Sequence, residues 1–341
     1  DDLNDYLIFL PENSSINLKD NFKIQSVNSN SNQNFWDEVR IKNSFNDKSL
    51  DIYHVPQNGV GISQDISCKK TITLHDIIPL RMPETVSDRY LDIFNNELPT
   101  ILDNCDGIIT VSEFSKKDIA KGFNFPEEKI FVTHLAAEDI YKPLDKVICK
   151  NFIKKNYNID KDFILYVGGF SPRKNILGII EAFSKLKKDL KENLSLVITG
   201  HKGISYEIYK NRAIELKVEE NVIFTDFIPL ENLPIFYNAS KLLAYPSFYE
   251  GFGLPPLESM ACGTPVITSN LTSIPEICGD SVYLINPFDI DELSNSIEEV
   301  LLDEELRRNM IINGLIKSSS YSWNSTAKNT LKAYSNIINI K

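Results

Sequence analysis

The chain has 341 residues, 47 acidic and 36 basic side chains, and a formal net charge of −11. That length exceeds one ordinary hydrophobic core and points to two domains. The acidity excludes a nucleic-acid binder, which needs Lys and Arg to neutralise phosphates.

No apolar run approaches the ~18 residues of a membrane-spanning helix, and the acidic opening DDLND is unlike a signal peptide. Residues 1–140 carry 23 Asp and Glu against 13 Lys and Arg, so the first half is repelled by an anionic membrane surface. The five cysteines, Cys68, Cys105, Cys149, Cys262 and Cys278, form no C-x-x-C pair and no metal pattern. They are read as reduced, buried thiols of a cytoplasmic protein.

The first half alternates short β-branched and aromatic runs with helical stretches. YLIFL, DIYHV, KTITL, GIITV and KIFVTHL are predicted strands. VSDRYLDIFNNELPTILDNC is a predicted helix with Tyr90, Phe94 and Leu98 recurring every fourth residue. SEFSKKDIAKGF is another, opening near Ser112 and closing at Gly122. Much of 12–50 is rich in Asn and Ser and receives no element.

After Pro143 a charged stretch leads into a second series of strands: FILYVGG, LSLVITG, NVIFTDF, KLLAYPS, PVITSN and SVYLIN. ILGIIEAFSKLKKDL puts Ile176, Ile180, Phe183, Leu186 and Leu190 on one helical face. Asp289 and Glu292 have capping-box spacing, and a last helix follows Trp323. Strands alternating with helices imply right-handed crossovers and parallel sheets. The expected fold is α/β, with two Rossmann-like domains facing across a cleft. The boundaries are 1–145, 146–322 and a C-terminal helix at 323–341 that packs back towards the first domain.

Two stretches could carry chemistry. In YVGGFSPRKN a strand runs into Gly168-Gly169, and a helix is expected from about Pro172. Close backbone approach, a helix N-terminus and the charges of Arg173 and Lys174 suit a diphosphate. A plain strand-to-helix turn with solvated cations fits equally well. In SFYEGFGLPPLES, Glu250 and Glu258 have seven residues between them. Pro256 is read as a first helical position, Glu258 as first-turn and Gly263 as the helix end. A carboxylate there suits a vicinal diol such as a ribose, accepting from both hydroxyls. Dipole complementarity explains Glu258 as well, and Glu250 fits a simple loop acid. His75 follows a strand in LHDIIPL, where a lone histidine is more often a satisfied core residue. His54, His134 and His201 are read that way.

EGFGLPPLESMACGTPVITSN closely resembles retaining glycosyltransferases of the GT-B fold, glycosyltransferase family 4. The resemblance continues in GGFSPRKN, ENLPIFYNASKLLAYPS, SIPEICGD, LHDIIPL, ITVSEFSKKDI and EKIFVTHLAAE, over roughly residues 51–340. It implies transfer of a hexose from a nucleotide-diphosphate sugar of the GDP-mannose or UDP-glucose type. The acceptor is a glycan or lipid-linked hydroxyl in cell-surface polysaccharide synthesis. No cofactor and no metal are implied, and the setting is cytoplasmic, extending to the inner membrane face.

By the same resemblance, His75 and Glu250 are catalytic. Gly169, Arg173, Lys174, Gly253 and Leu254 bind the diphosphate. Glu250, Gly251, Phe252 and Gly253 bind the sugar, and Glu258 and Ile228 the nucleoside. The departing diphosphate is stabilised by Arg173, Lys174 and the helix end. The acceptor attacks an oxocarbenium-like centre on the face the diphosphate leaves, with no separate nucleophile. A nucleotide-sugar epimerase or hydrolase of this fold, and a non-catalytic sugar-binding subunit, are the competing readings. The family's usual N-terminal strand and glycine-rich loop has no counterpart before residue 50, from which a missing N-terminal piece is expected. HLAAE, 134–138, has alanines where the family commonly has a glycine.

Overall fold

A computed structural model of the protein describes residues 3–11, 18–27, 50–59, 62, 66–201, 203 and 205–340. The expected strands of the first half form at β1 (Tyr6–Pro11), β3 (Ile52–Val55), β4 (Lys69–Thr73), β5 (Gly107–Thr110) and β6 (Ile130–Val132). Strands β3-β4-β5-β6 pair in that order, all parallel. Every residue of β5 is buried, as a parallel strand covered on both faces requires. One strand was not anticipated. Segment β2 (Phe22–Val27) lies within the Asn- and Ser-rich stretch and pairs with β1 in a separate two-stranded sheet. Phe22 stacks on Tyr6 at 4.3 Å, a contact the polar flanks conceal in the sequence. Residues 12–17 and 28–49 of that stretch lie outside the described residues.

The helix expected around Tyr90 is broken into three. Helix α1 (Asp88–Asp92) passes through a π-helical turn, Ile93–Glu97, into α2 (Leu98–Asp103). Pro99 has no N–H for the helical ladder, which explains the local widening. Phe94 and Leu98 still reach the core beside Ile72, Leu74 and Ile108. Helix α3 (Glu113–Phe123) opens on Ser112, as expected. It ends on Asn124 in the left-handed conformation, not on Gly122.

The second half forms a six-stranded parallel sheet in the order β12-β11-β10-β7-β8-β9. Its strands are β7 (Asp162–Val167), β8 (Leu194–Thr199), β9 (Val222–Asp226), β10 (Leu242–Tyr245), β11 (Val266–Ser269) and β12 (Tyr283–Ile285). Helix α4 (Lys146–Tyr157) leads into it, and helix α5 (Ile176–Lys185) buries Ile176, Ile179, Ile180 and Phe183 against it. The long helix expected here stops early. Leu186 turns extended, at ψ 150°, and a separate short helix covers Lys188–Asn193. Helices α6 (Leu233–Ala239), α7 (Leu254–Ala261), α8 (Ile274–Cys278), α9 (Ile290–Leu302) and α10 (Glu304–Ser319) follow. Asp289 caps α9 by accepting from the Glu292 N–H, but the Glu292 carboxylate accepts from the Asn286 N–H instead of closing a capping box.

Helix α11 (Trp323–Ile338) returns to the first sheet. Ile337 is fully buried against Gly107, and the Tyr334 hydroxyl lies 2.6 Å from His54 Nδ1. The five thiols are all free. Cys149, Cys262 and Cys278 are buried, whereas Cys68 and Cys105 are only half-buried.

Candidate active site

Strand order locates the site before any side chain is considered. From β7 the chain builds outward through β8 and β9, then returns to the other side of β7 with β10. Ligands of open parallel sheets sit beyond the carboxyl ends of the strands at such a reversal. The loops leaving β7 and β10 are Gly168–Asn175 and Pro246–Gly253, the two stretches singled out in the sequence.

Glu250 joins them. Its Oε1 accepts from Lys174 Nζ at 2.6 Å, from the Tyr245 hydroxyl at 3.0 Å and lies 3.1 Å from Arg173 Nη1. Burial alone would raise the Glu250 pKa. The charges of Lys174 and Arg173 more than reverse this and bring it to about 2. Glu250 is therefore the buried counter-ion of the basic pair rather than an exposed loop acid. Arg173 Nη1 also donates to the Tyr249 carbonyl at 2.9 Å. The helix expected at Pro172 is a 3₁₀ turn, Pro172–Lys174, and the true helix starts at Ile176 on an Asn175 cap. Gly169 faces open space.

Gly253 caps α7 at φ 107°, where a side chain is strained and would strike Ile274. Helix α7 starts at Leu254, so Pro256 is its third residue and Glu258 its fifth. Dipole complementarity in a first turn therefore does not explain Glu258. Its Oε2 accepts from the buried Tyr237 hydroxyl at 2.7 Å. Burial raises the Glu258 pKa, and the Tyr237 and Tyr141 hydroxyls pull against that rise. The Phe252 side chain is buried towards His134 and Tyr321, and its carbonyl accepts from Ser273 Oγ at 3.0 Å. Ile228 is buried in the core at 4% exposure, while its neighbour Phe227 is 70% exposed.

The first sheet meets this loop at Gly251. A Cβ there would lie 2.8 Å from the His75 carbonyl oxygen and 2.8 Å from Asp76 Cβ. His75 thus stands beside the loop between the two carboxylates. Burial pushes its imidazole below the ordinary range, against the pull of Asp76. Ser112 and Ser115 of the first half both donate to the Gly251 carbonyl, at 2.7 and 3.1 Å. Glu276 accepts from the N–H groups of Glu113 and Phe114 at 2.8 and 3.0 Å, and lies 3.0 Å from His134 Nε2. Tyr249 donates to Asp118 at 2.6 Å, and Arg81 grips the same carboxylate.

Asp76, Ser112, Ser115, Tyr237, Tyr245 and Glu276 were missed as site residues. Asp76 adjoins His75 in LHDIIPL, and Glu276 lies in SIPEICGD, both already quoted as motifs. Tyr237 and Tyr245 are indistinguishable from core aromatics in a sequence. Among the described residues no group of three His, Cys, Asp or Glu side chains could hold a metal ion.

The family model described as glycosyl transferases group 1 matches residues 149–316, which contain every loop residue of the second half. O-antigen chain mannosyltransferase B of Escherichia coli is 35% identical over 263 residues, covering 77% of this chain and 69% of that protein. The chain belongs to the glycosyl transferases group 1 family. Another relative in the family, serotype-specific mannosyltransferase WbdA of Escherichia coli, is 28% identical over 287 residues, or 81% of this chain. The chain spans only 34% of that longer relative. Sucrose-phosphate synthase from Thermosynechococcus elongatus shares the fold, with a TM-score of 0.75 at 20% identity over 97% of this chain and 88% of that one. The architecture is thus GT-B, two α/β halves with parallel sheets across a cleft.

Proposed function

We propose that the protein is a retaining hexosyltransferase that takes its sugar from a nucleotide diphosphate of the GDP-mannose or UDP-glucose type. The acceptor is a hydroxyl of a growing cell-surface polysaccharide. The observation that carries this reading is the meeting of Arg173, Lys174 and Glu250 at the strand reversal, with His75 opposite. The mannosyltransferase names of the relatives support the sugar class.

In this reading the diphosphate lies over Gly169 and the amino end of α7, near Gly253 and Leu254. Its departing charge is stabilised by Arg173, Lys174 and the free N–H groups of the helix. These charges are sufficient without a metal. Glu250 keeps both cations in place and lies at the sugar end, with the backbone of Gly251, Phe252 and Gly253. Glu258 takes the ribose hydroxyls, and the loop around Ile228 takes the base. His75 faces the reacting sugar as a neutral imidazole. The acceptor oxygen bonds to the anomeric carbon as the bond to the diphosphate breaks, on the same face, and its hydroxyl proton passes to the departing diphosphate oxygen, so configuration is retained. The enclosing halves keep water out.

The test is transfer from GDP-mannose and from UDP-glucose to a panel of glycosides, in EDTA, with the product's anomeric configuration read by NMR. A retained linkage from either donor supports the reading. An inverted product, a strict metal requirement, or release of free sugar alone contradicts it.

A further inference from the structure

Helix α3 turns one side towards the loop that follows β10. Ser112, Ser115 and Asp118 are spaced by three residues, so they share a face of the helix and its cap. Ser112 and Ser115 hold the Gly251 carbonyl. Asp118 holds Tyr249 instead, by its side chain, the phenol donating to Oδ2 at 2.6 Å. Hydrogen bonds to a carboxylate are short and strong. Asp118 is in turn fixed from within the first half. Arg81, the last residue of the short helix Ile78–Arg81, donates from Nη2 to Oδ1 at 2.6 Å and from Nε to Oδ1 and Oδ2 at 2.9 and 3.2 Å. A guanidinium engaged through two nitrogens sets the plane of the carboxylate as well as its place. Phe114, also on α3, meets the buried Tyr249 ring edge-on at 5.6 Å.

The backbone of Tyr249 reaches the charges of the site. Its carbonyl accepts from Arg173 Nη1 at 2.9 Å, and the same nitrogen lies 3.1 Å from Glu250 Oε1. The N–H of that same planar peptide, belonging to Glu250, donates to Thr272 Oγ1 at 3.1 Å. Tyr249 thus joins Arg81 and Asp118 of the first half to Arg173 of the second. Packing alone would be served by a phenylalanine, and the hydroxyl adds the bond to Asp118. The direction of Arg173 matters because its rigid planar fork matches phosphate oxygens only at certain angles. A carbonyl that holds Nη1 therefore sets how the guanidinium meets a diphosphate.

We propose that Asp118 and Tyr249 are positioning residues for the donor diphosphate: Asp118 fixes the Tyr249 ring, and the Tyr249 carbonyl aims Arg173, so that diphosphate affinity depends on contact between the two halves. By linkage, a bound diphosphate strengthens that contact in return. This role deepens the transferase reading above and rests on it.

Calorimetry with GDP and with UDP on the full chain is the test. Tyr249→Phe removes one oxygen and leaves Asp118 paired with Arg81. It should weaken whichever nucleotide binds by about fivefold. Asp118→Ala should do the same, and Asp118→Asn, which keeps an acceptor for the phenol, should recover part of the loss. The deciding comparison is a double-mutant cycle. In the Arg173→Ala background, Tyr249→Phe should change affinity by less than about twofold, because the residue it acts through is gone. Arg173→Lys, which has no planar fork to aim, takes the place of Arg173→Ala if that variant binds too weakly to read. A purely structural Tyr249 would lower the melting temperature and leave affinity unchanged. Binding of neither nucleotide to wild type overturns the transferase reading and this role together. If wild type binds, Tyr249→Phe and Asp118→Ala both within about twofold of it, or an equal loss with and without Arg173, overturns the positioning role alone and leaves the donor site standing.

Discussion

Ser112 Oγ donates a 2.7 Å hydrogen bond to the carbonyl of Gly251, across 139 residues of chain and across the cleft. The same oxygen accepts from the Ser115 N–H and so caps helix α3. One buried hydroxyl therefore caps the start of a helix of the first half and grips the Gly251 loop of the second. Because the peptide unit is planar, holding the Gly251 carbonyl also fixes the direction of the Phe252 N–H.

Removing these hydroxyls should loosen the cleft by different amounts. Ser115→Ala loses only the 3.1 Å bond to Gly251 and should cost about 1 kcal/mol of stability. Ser112→Ala loses the cap as well and should cost about 2 kcal/mol. Urea unfolding measures both. Equal costs would mean that the cap contributes nothing beyond the cross-cleft bond.

Glu276→Ala should be more severe than its half-buried position suggests, because it strips the Glu113 and Phe114 N–H groups and His134 of their acceptor. A loss of about 2–3 kcal/mol is expected. Glu276→Gln keeps one acceptor oxygen and should recover part of it, as thermal unfolding of the two variants would reveal.

Arg173→Ala and Glu258→Ala should each weaken nucleoside diphosphate binding at least about tenfold, since a charged hydrogen bond contributes ~1.5–3 kcal/mol. Calorimetry with GDP and UDP is the measurement. Unchanged affinity in both variants would remove the diphosphate and ribose assignments together.

His75→Ala should lower turnover by about a hundredfold or more, the usual share of a positioned acid–base or polar group, while donor affinity stays near wild type. Steady-state kinetics alongside calorimetry distinguishes this from a structural effect, which would lower both.

His54 gives the fold a built-in acid sensitivity. It lies between Tyr334 and Thr73, and burial depresses its pKa from 6.5 to about 4. Between those values the unfolded chain binds a proton that the native chain does not, so stability falls as pH drops through that window and is flat above it. The full loss is about 3 kcal/mol. His54→Gln should remove that part of the slope when urea midpoints are compared at pH 7.5 and 4.5.

Much of this architecture is legible in the sequence because parallel strands buried on both faces leave near-continuous apolar runs. GIIT and LSLVIT are of this kind, and both became fully buried strands. FKIQSV was missed because its polar flanks outweigh its Phe22–Tyr6 stacking, a contact between residues distant in the chain. The single helix drawn through Leu190 failed for a related reason. Periodicity reports which face is apolar, not where the backbone turns extended to keep Leu186 buried.

The sequence by itself determined the fold class, the two glycine-bearing loops and the basic pair beside them, because those depend on local spacing and residue type. Only the tertiary structure decided what the charges do. Glu250 looked like one end of a bracket around a ligand, and it is also the counter-ion that three donors share at Oε1. Asp76, Ser112 and Glu276 acquire their places from the way the two sheets face each other. No local pattern encodes a hydrogen bond whose partners lie more than a hundred residues apart.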